Sequence, residues 1–232
     1  MDYGDLTIII PTLNEGGNIG RLVRILAARY GRVHIIVADD GSRDRTREEV
    51  AKCMGTADVL FLDRRRAAVH GLTASVVDAA LRARTDYIIV MDADFQHPPE
   101  VVGELYRKLL GGADLAIAVR TKVMGWSAYR RFMSRGIIVF STIVFKLRRR
   151  PVVSDMMSGF FGIRTKLFKR LIKSRRDGFV MPGYKVLLDI LRMDGSGIRM
   201  SEVPYSTFHA RKYGKSKLRP ARIADALRSV LR

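Results

Sequence analysis

A single cysteine, Cys53, stands in 232 residues, which excludes an internal disulfide and any zinc site built on cysteine pairs. A reducing compartment is the natural setting for such a chain. No run approaches the roughly 20 apolar residues that a helix needs to cross a bilayer, so any membrane contact is expected at the surface. The N-terminus, Met1-Asp2-Tyr3-Gly4-Asp5, carries neither a basic region nor an apolar signal core, and cytoplasmic synthesis and residence follow as the default. Acidic residues are scarce: 23 Asp and Glu against 42 Lys and Arg leave a formal charge of +19. Such a surface attracts polyanions, whether nucleic acid, anionic headgroups or phosphorylated substrates. There is also no Gly-x-Gly-x-x-Gly after the first strand-like run and no Gly-Lys-Ser/Thr loop, which argues against dinucleotide and P-loop folds.

What is present is a regular alternation of short apolar runs and amphipathic segments. Leu6 to Ile10, Val33 to Ala38, Val59 to Leu62, Tyr87 to Met91 and Leu115 to Val119 read as buried strands. Between them, Asn18 to Arg29, Arg45 to Cys53, Leu72 to Arg84 and Pro99 to Leu110 have helical spacing. This pattern predicts an α/β fold with a doubly wound, mostly parallel sheet and ligands at the carboxyl ends of its strands. Beyond Arg120 the alternation weakens, with a strand at Gly159 to Arg164, helices at Thr165 to Lys173 and Gly183 to Met193, and a last strand near Ile198 to Pro204. The length suits one unit over 1–218, with a regularly alternating part at 1–120 and a less regular part at 121–218, followed by a basic amphipathic helix at 219–232.

Polar groups gather where this topology puts a site. The first strand ends in Pro11-Thr12-Leu13-Asn14-Glu15, the second in Asp39-Asp40-Gly41-Ser42-Arg43-Asp44, and the central one in Asp92-Ala93-Asp94-Phe95-Gln96-His97. Two carboxylates one residue apart after an apolar strand can hold a hard divalent cation against a nucleotide's phosphates. Either Asp92 or Asp94 also suits a helix start ahead of Pro98-Pro99-Glu100, but capping uses one carboxylate and leaves the second and Gln96 without a role. Taken singly, Asp40-Gly41-Ser42 and Asn14-Glu15-Gly16-Gly17 are turns; their coincidence at three strand ends is what points to nucleotide chemistry.

Two basic segments bear on the surface. An apolar stretch from Gly136 to Phe145 lies between Arg130, Arg131, Arg135 and Lys146, Arg148, Arg149, Arg150, the composition of an interfacial helix and equally of a core helix with solvated ends. Residues 219–232 carry Ile223, Ala226, Leu227, Val230 and Leu231 at helical spacing among arginines. Segments 129–150 and 219–232 are therefore read as membrane-surface contacts, the latter also as a docking surface for a separate membrane-anchor subunit. A basic nucleic-acid-binding domain is the remaining non-enzymatic alternative. It predicts aromatics interleaved with the basic runs, yet Arg64-Arg65-Arg66, Arg148-Arg149-Arg150 and Arg175-Arg176 have few such neighbours.

Five ordered motifs together carry a resemblance: Ile10-Pro11-Thr12-Leu13-Asn14-Glu15; Asp39-Asp40-Gly41-Ser42-x-Asp44-x-Thr46; Asp92-Ala93-Asp94-Phe95-Gln96-His97-Pro98-Pro99; Ser158-Gly159-Phe160; and Arg211-x-x-Gly214-x-Ser216-Lys217-Leu218. From Leu6 to Leu218 the chain resembles family 2 glycosyltransferases, and among them the dolichyl-phosphate mannose synthases. The resemblance implies a GT-A fold, with 1–120 as its nucleotide-sugar-binding part and 121–218 as its acceptor-side part, a sugar-nucleotide donor, Mg2+ or Mn2+, and dolichyl or another polyprenyl phosphate as acceptor. GDP-mannose is the leading donor, and the expected location is the cytoplasmic face of a membrane. It implies that Pro11, Leu13, Glu15, Ala38 and Asp40 line the nucleoside pocket, and that Asp92, Ala93 and Asp94 meet ribose, pyrophosphate and metal, with Gln96 as a further metal ligand. Arg120 corresponds to an arginine near the donor phosphates, Arg130 and Ser134 to acceptor-phosphate contacts, and Arg211 and Lys217 to a loop that closes over the phosphates. Leu13 stands where the family often has Tyr, which weakens stacking on the base. Met156-Met157 replace a proline and a small residue before Ser158.

The implied chemistry needs no catalytic base, because a phosphate monoester with a second pKa near ~6 arrives ionised at neutral pH. Direct attack of that phosphate on the anomeric carbon inverts it. The same chemistry with UDP-glucose or another donor stays open, since the base-reading positions are not diagnostic.

Overall fold

The computed structural model describes residues 1–123, 142–148, 150–193 and 197–207. One seven-stranded sheet organises them: β1 (Leu6–Thr12), β2 (His34–Asp39), β3 (Val59–Asp63), β4 (Tyr87–Val90), β5 (Leu115–Val123), β6 (Phe161–Arg164) and β7 (Met200–Thr207), in the order β3-β2-β1-β4-β6-β5-β7. The helices are α1 (Ile19–Tyr30), α2 (Thr46–Ala51), α3 (Leu72–Arg82), α4 (Val101–Leu110), α5 (Thr165–Ser174) and α6 (Val186–Met193), with a further helical segment at 142–147.

Every residue of β1 is buried, as a central parallel strand covered on both faces requires. Successive side chains go to opposite layers. Ile8 and Ile10 join Leu22, Leu26 and Leu105 on the α1/α4 side, whereas Ile9 joins Val77, Phe168 and Leu187 on the α3/α5/α6 side. Helix α1 buries Ile19, Leu22, Val23, Leu26 and Tyr30, one stripe at the 3.6-residue period. It stops at Gly31, whose φ of 56° carries the chain out of the helix while its N–H donates to the Ala27 carbonyl at 2.9 Å.

The predicted alternation is present with boundaries shifted by at most four residues, the largest at the end of β5, and the sheet is mostly parallel. One element departs from the simple pattern. β6 runs antiparallel to both β4 and β5, between which it is inserted, and β7 then pairs parallel with β5. The chain leaves β1 toward β2 and β3 on one side and returns to β4 on the other, so the β1/β4 boundary is the topological switch point, where ligands of open α/β sheets bind. Both the Thr12–Glu15 turn and the Asp92–His97 turn open there.

Candidate active site

The loops after β1 and β2 are tied together by short polar side chains. Asp39, buried at the end of β2, accepts from the Thr12 hydroxyl at 2.9 Å, the Ser42 hydroxyl at 2.5 Å and the Ser42 N–H at 2.9 Å. In return the Asn14 N–H donates to Ser42 Oγ at 2.7 Å, and Asn14 Oδ1 accepts from the Arg43 N–H at 2.8 Å. Asn14 has a φ of 56°, a left-handed conformation that asparagine tolerates better than most residues. One step further, Asp44 accepts from Gly16 and Thr46, and the Glu15 N–H donates to Thr46 Oγ1 at 2.9 Å. Burial works against ionisation of Asp44, but the hydrogen bonds from Thr46 and Gly16 outweigh it and hold the carboxyl below its ordinary value.

Asp40 behaves differently from its neighbour. Its carboxylate meets Arg64 Nη1, His70 Nδ1 at 3.0 Å and the Gly71 N–H at 2.8 Å. A carboxylate offers about four acceptor positions, and these three contacts leave room for one more. Arg64 itself is 4 % exposed and also donates to Asp78 at 2.9 Å, Ser75 Oγ at 2.8 Å and the Val69 carbonyl at 2.7 Å. The first member of the Arg64-Arg65-Arg66 run is thus interior framework rather than a polyanion-binding surface. A cavity of ≈ 660 Å³ opens beside this turn, lined by Asp40, Ser42, Arg43, Arg47, Arg65 and His70 among others.

At the end of β4, Asp92 is half-buried and Asp94 is 4 % exposed. Asp94 Oδ1 accepts from the Gln96 N–H at 3.2 Å. The turn passes through Phe95 at a φ of 59°, and Arg21 lies over the Phe95 ring, 5.5 Å from its centre. His97 closes the turn: its Nδ1 accepts from the Asp92 N–H at 2.9 Å and its ring stacks on Phe160 with centroids 4.8 Å apart. Burial pushes the imidazole down to about 3, so the ring is neutral and packs as an aromatic. The capping role weighed for this stretch is not seen: no side chain caps α4.

The facing wall comes from the part of the chain from β5 onward. Arg120 Nε donates to Asp155 Oδ2 at 2.9 Å, and Asp155 is buried. Ser158 Oγ donates to the Ala118 carbonyl at 2.8 Å, fixing the Ser158-Gly159-Phe160 turn against β5. A β-carbon at Gly159 would lie 3.8 Å from Asp92 Oδ2, so this turn borders the carboxylate pair. Met156 is wholly buried in the core and Met157 nearly so, which accounts for two bulky residues in this loop. Lys185, just ahead of α6, donates to the Met157 carbonyl at 2.6 Å. Burial and the Arg120 guanidinium push its ammonium down to about 8, against Asp155 and Asp92, which favour the charge.

Of the residues expected at the site, Pro11, Leu13, Glu15, Ala38, Asp40, Asp92, Ala93, Asp94, Gln96 and Arg120 all sit at or beside the carboxyl ends of β1, β2, β4 and β5. Pro11, Ala38 and Ala93 are buried there and Leu13 is exposed. Arg130, Ser134, Arg211 and Lys217 lie outside the described residues, as do most of segment 129–150 and all of 219–232.

The model of "Glycosyl transferase family 2" matches residues 7–172, a span that holds the β1, β2 and β4 turns and the Ser158-Gly159 turn. The chain belongs to that family. Proteins named dolichol-phosphate mannosyltransferase are 36% identical over 98% of the chain in Pyrococcus furiosus, 32% over 91% in Mycosarcoma maydis and 31% over 92% in Saccharomyces cerevisiae. The chain spans 63%, 73% and 81% of those proteins' lengths. Among solved structures, glucosyl-3-phosphoglycerate synthase from Mycobacterium tuberculosis aligns with a TM-score of 0.71 in its UDP complex and 0.68 in a complex with Mn2+, UDP and glucosyl-3-phosphoglycerate. Each alignment covers 97% of this chain, with 78% and 77% of the other, at 19% identity. The family 2 chain thus has the GT-A arrangement of a mostly parallel seven-stranded sheet flanked by helices.

Sequence reasoning missed Arg64, Asp155 and Lys185. Two of them are basic residues among 42, and only their burial separates them from the solvated majority. Asp155 had a readable signal, a lone acid in the basic stretch ahead of Ser158-Gly159, but no spacing rule links it to Arg120, 35 residues away.

Proposed function

We propose that the chain transfers mannose from GDP-mannose to dolichyl or another polyprenyl phosphate, with inversion at the anomeric carbon. The observation that carries this reading is identity of 31–36% over at least 91% of the chain with three proteins named dolichol-phosphate mannosyltransferase, in a chain whose carboxylate pair borders the Ser158-Gly159 turn.

A divalent cation fits the donor set. Among the described residues no cluster of three or more His, Cys, Asp or Glu could hold a metal by itself. Mg2+ or Mn2+ at a nucleotide site takes one or two carboxylates, with substrate phosphates and water completing the shell. Asp92 and Asp94, with Gln96, supply that number of hard oxygen donors, and a solved relative of the same fold carries Mn2+ with UDP. When bound, the ion neutralises charge on the departing diphosphate.

The chain's own residues hold and orient. In this reading Pro11, Leu13, Glu15, Ala38 and Asp40 enclose the nucleoside, and Arg120 and Lys185 place positive charge beside the carboxylate pair where diphosphate charge grows. Arg130 and Ser134 orient the acceptor phosphate, and Arg211 and Lys217 close over the donor. The phosphate nucleophile brings its own negative charge. His97 is a poor base, because its Nδ1 already accepts from the Asp92 N–H and burial disfavours its protonated form, and Asp155 is engaged by Arg120; neither is needed as one. A lipid-borne acceptor puts the site at the cytoplasmic face of a membrane.

The test is transfer of labelled mannose from GDP-mannose, in parallel with labelled glucose from UDP-glucose, to dolichyl phosphate with Mg2+ or Mn2+, scored as organic-extractable label. Metal-dependent mannose transfer is the expected result. Glucose transfer alone would keep the mechanism and reassign the donor.

A further inference from the structure

A second concave feature lies away from the carboxylate pair. Helix α6 runs eight residues, or about 12 Å, from beside Lys185 to Met193. At its far end a cavity of ≈ 560 Å³ is lined by Arg148, Arg150, Arg175, Asp177, Gly178, Arg192 and Met193. Among the described residues, four guanidinium groups from three separate segments share this hollow with the Asp177 carboxylate. Two are fixed by backbone oxygens: Arg175 Nη1 donates to the Met193 carbonyl and Arg192 Nη2 to the Gly178 carbonyl. A carbonyl orients a guanidinium without cancelling its charge. Arg192 is 11% exposed and also has Asp189 at 3.7 Å, so the described lining carries more cations than carboxylates. A charged, pre-oriented and partly desolvated arginine cluster is built for the oxygens of a phosphate group.

The segment that delivers Arg148 and Arg150 adds an apolar element. In the helical stretch 142–147, Phe145 is 1% exposed and Val144 packs on the same core. Ile143 and Leu147, four residues apart and so on one face, are 53% and 80% exposed. A helix that buries one stripe in the protein and presents two large aliphatic residues outward, next to a cationic hollow, matches the two layers of a membrane interface.

We propose that this cavity binds the headgroup phosphate of an anionic membrane lipid, while Ile143 and Leu147 enter the acyl boundary beside it. The hollow lies at the opposite end of α6 from Lys185, and the proposal builds on the reading that the acceptor is membrane-borne. Its test does not depend on turnover.

Co-sedimentation with phosphatidylcholine vesicles, with and without phosphatidylglycerol, measures it directly. The Arg148→Gln/Arg150→Gln protein is compared with Arg82→Gln/Arg84→Gln, which removes the same charge from exposed positions elsewhere. Each cation at a surface contributes roughly fivefold to binding, so the pocket variant is expected to bind phosphatidylglycerol vesicles about 30-fold more weakly, with the remote variant near wild type. Ile143→Ser/Leu147→Ser is expected to weaken binding to both vesicle types. Unchanged melting temperatures separate these effects from misfolding. Equal losses in the pocket and remote variants, or none in the pocket variant, would overturn the assignment. So would stabilisation of the wild type by inorganic phosphate without vesicle binding, which would make the hollow a soluble-anion site. Mannose transfer to a short, water-soluble polyprenyl phosphate is expected to persist in the pocket variant, so failure of this proposal and failure of the transferase reading are distinguishable.

Discussion

The two halves of the chain, proposed to serve the donor side up to β4 and the acceptor side from β5 onward, hold their charges in opposite ways. Around β1, β2 and β4 the important groups are carboxylates, each ordered by backbone N–H groups and hydroxyls: Asp39 by Ser42 and Thr12, Asp44 by Gly16 and Thr46, Asp40 by Gly71 and buried Arg64. Around β5, α5 and α6 the important groups are cations, ordered largely by backbone carbonyls, as with Lys185 on Met157, Arg175 on Met193 and Arg192 on Gly178. Each half therefore orders mainly one sign of charge, with Arg64 and Asp155 as the buried counter-charges. A metal–diphosphate donor and a phosphate-bearing acceptor need both signs at their boundary, which is where Asp92, Arg120 and the Ser158-Gly159 turn meet.

The sharpest break in this comparison is removal of a carboxylate that has a ligand to hold rather than a loop to order. Asp94→Asn keeps the shape of the side chain and the Gln96 contact but removes its charge. Turnover is expected to fall by about 10²–10³-fold, with metal-supported GDP binding lost and the melting temperature retained. Intact metal-supported GDP binding and turnover would reject the assignment of the metal site.

Next in size is Arg64→Met, which turns the donor-side rule around by deleting a buried cation. It leaves Asp40 with one fewer partner and opens the contacts to Ser75 and the Val69 carbonyl. Removing one member of a buried ion pair costs about 3–5 kcal/mol, read as a lower urea midpoint. Arg64→Lys is expected to recover little, because one ammonium cannot span Asp40, Asp78, Ser75 and Val69 together.

A smaller effect is expected where the two halves touch. Gly71 gives its N–H to Asp40 on the donor side, adopts a φ of 142°, and would carry a β-carbon only 2.7 Å from the Met181 carbonyl oxygen and 2.8 Å from Pro182. Gly71→Ala is expected to cost about 1–3 kcal/mol and to weaken nucleotide binding by shifting Asp40. Loss of stability with unchanged nucleotide affinity would show that the Asp40 contact is not relayed through this glycine.

Much of this was legible in the sequence, for reasons that particular residues make plain. The strands declared themselves because Leu6–Ile10 and Tyr87–Met91 are short, apolar and bounded by turn residues, and Asp92 and Asp94 because they follow such a run directly. The direction of β6 was not legible: Phe161-Gly162-Ile163-Arg164 reads the same in either sense, and only its pairing with β4 and β5 fixes it. Nor could Asp39 be told from Asp40. Two identical neighbours on a strand end face opposite ways, and the long-range partners Thr12 and Arg64 decide which one orders the turn and which one pairs with a buried arginine. Arg64 and Lys185 were hidden by the basic composition itself.

Lys185 offers the finest test of the comparison, because it is a cation whose charge can be removed by pH alone. Its ammonium sits near 8 rather than the ordinary 10.5, mainly through burial and then through Arg120. The sign for stability follows from linkage: between about pH 8 and 10.5 the unfolded chain binds the proton and the folded chain does not, so this group's contribution to stability rises with pH across that window. Its contribution to transfer has the opposite sign, because a neutral amine no longer balances diphosphate charge. Activity is therefore expected to fall through about pH 8 while the fold, as far as Lys185 is concerned, gains. Lys185→Met is expected to lower transfer about tenfold at pH 7 and to erase that alkaline limb. A limb that survives in Lys185→Met would belong to another group, and the acceptor-side charge would then rest on Arg120 without Lys185.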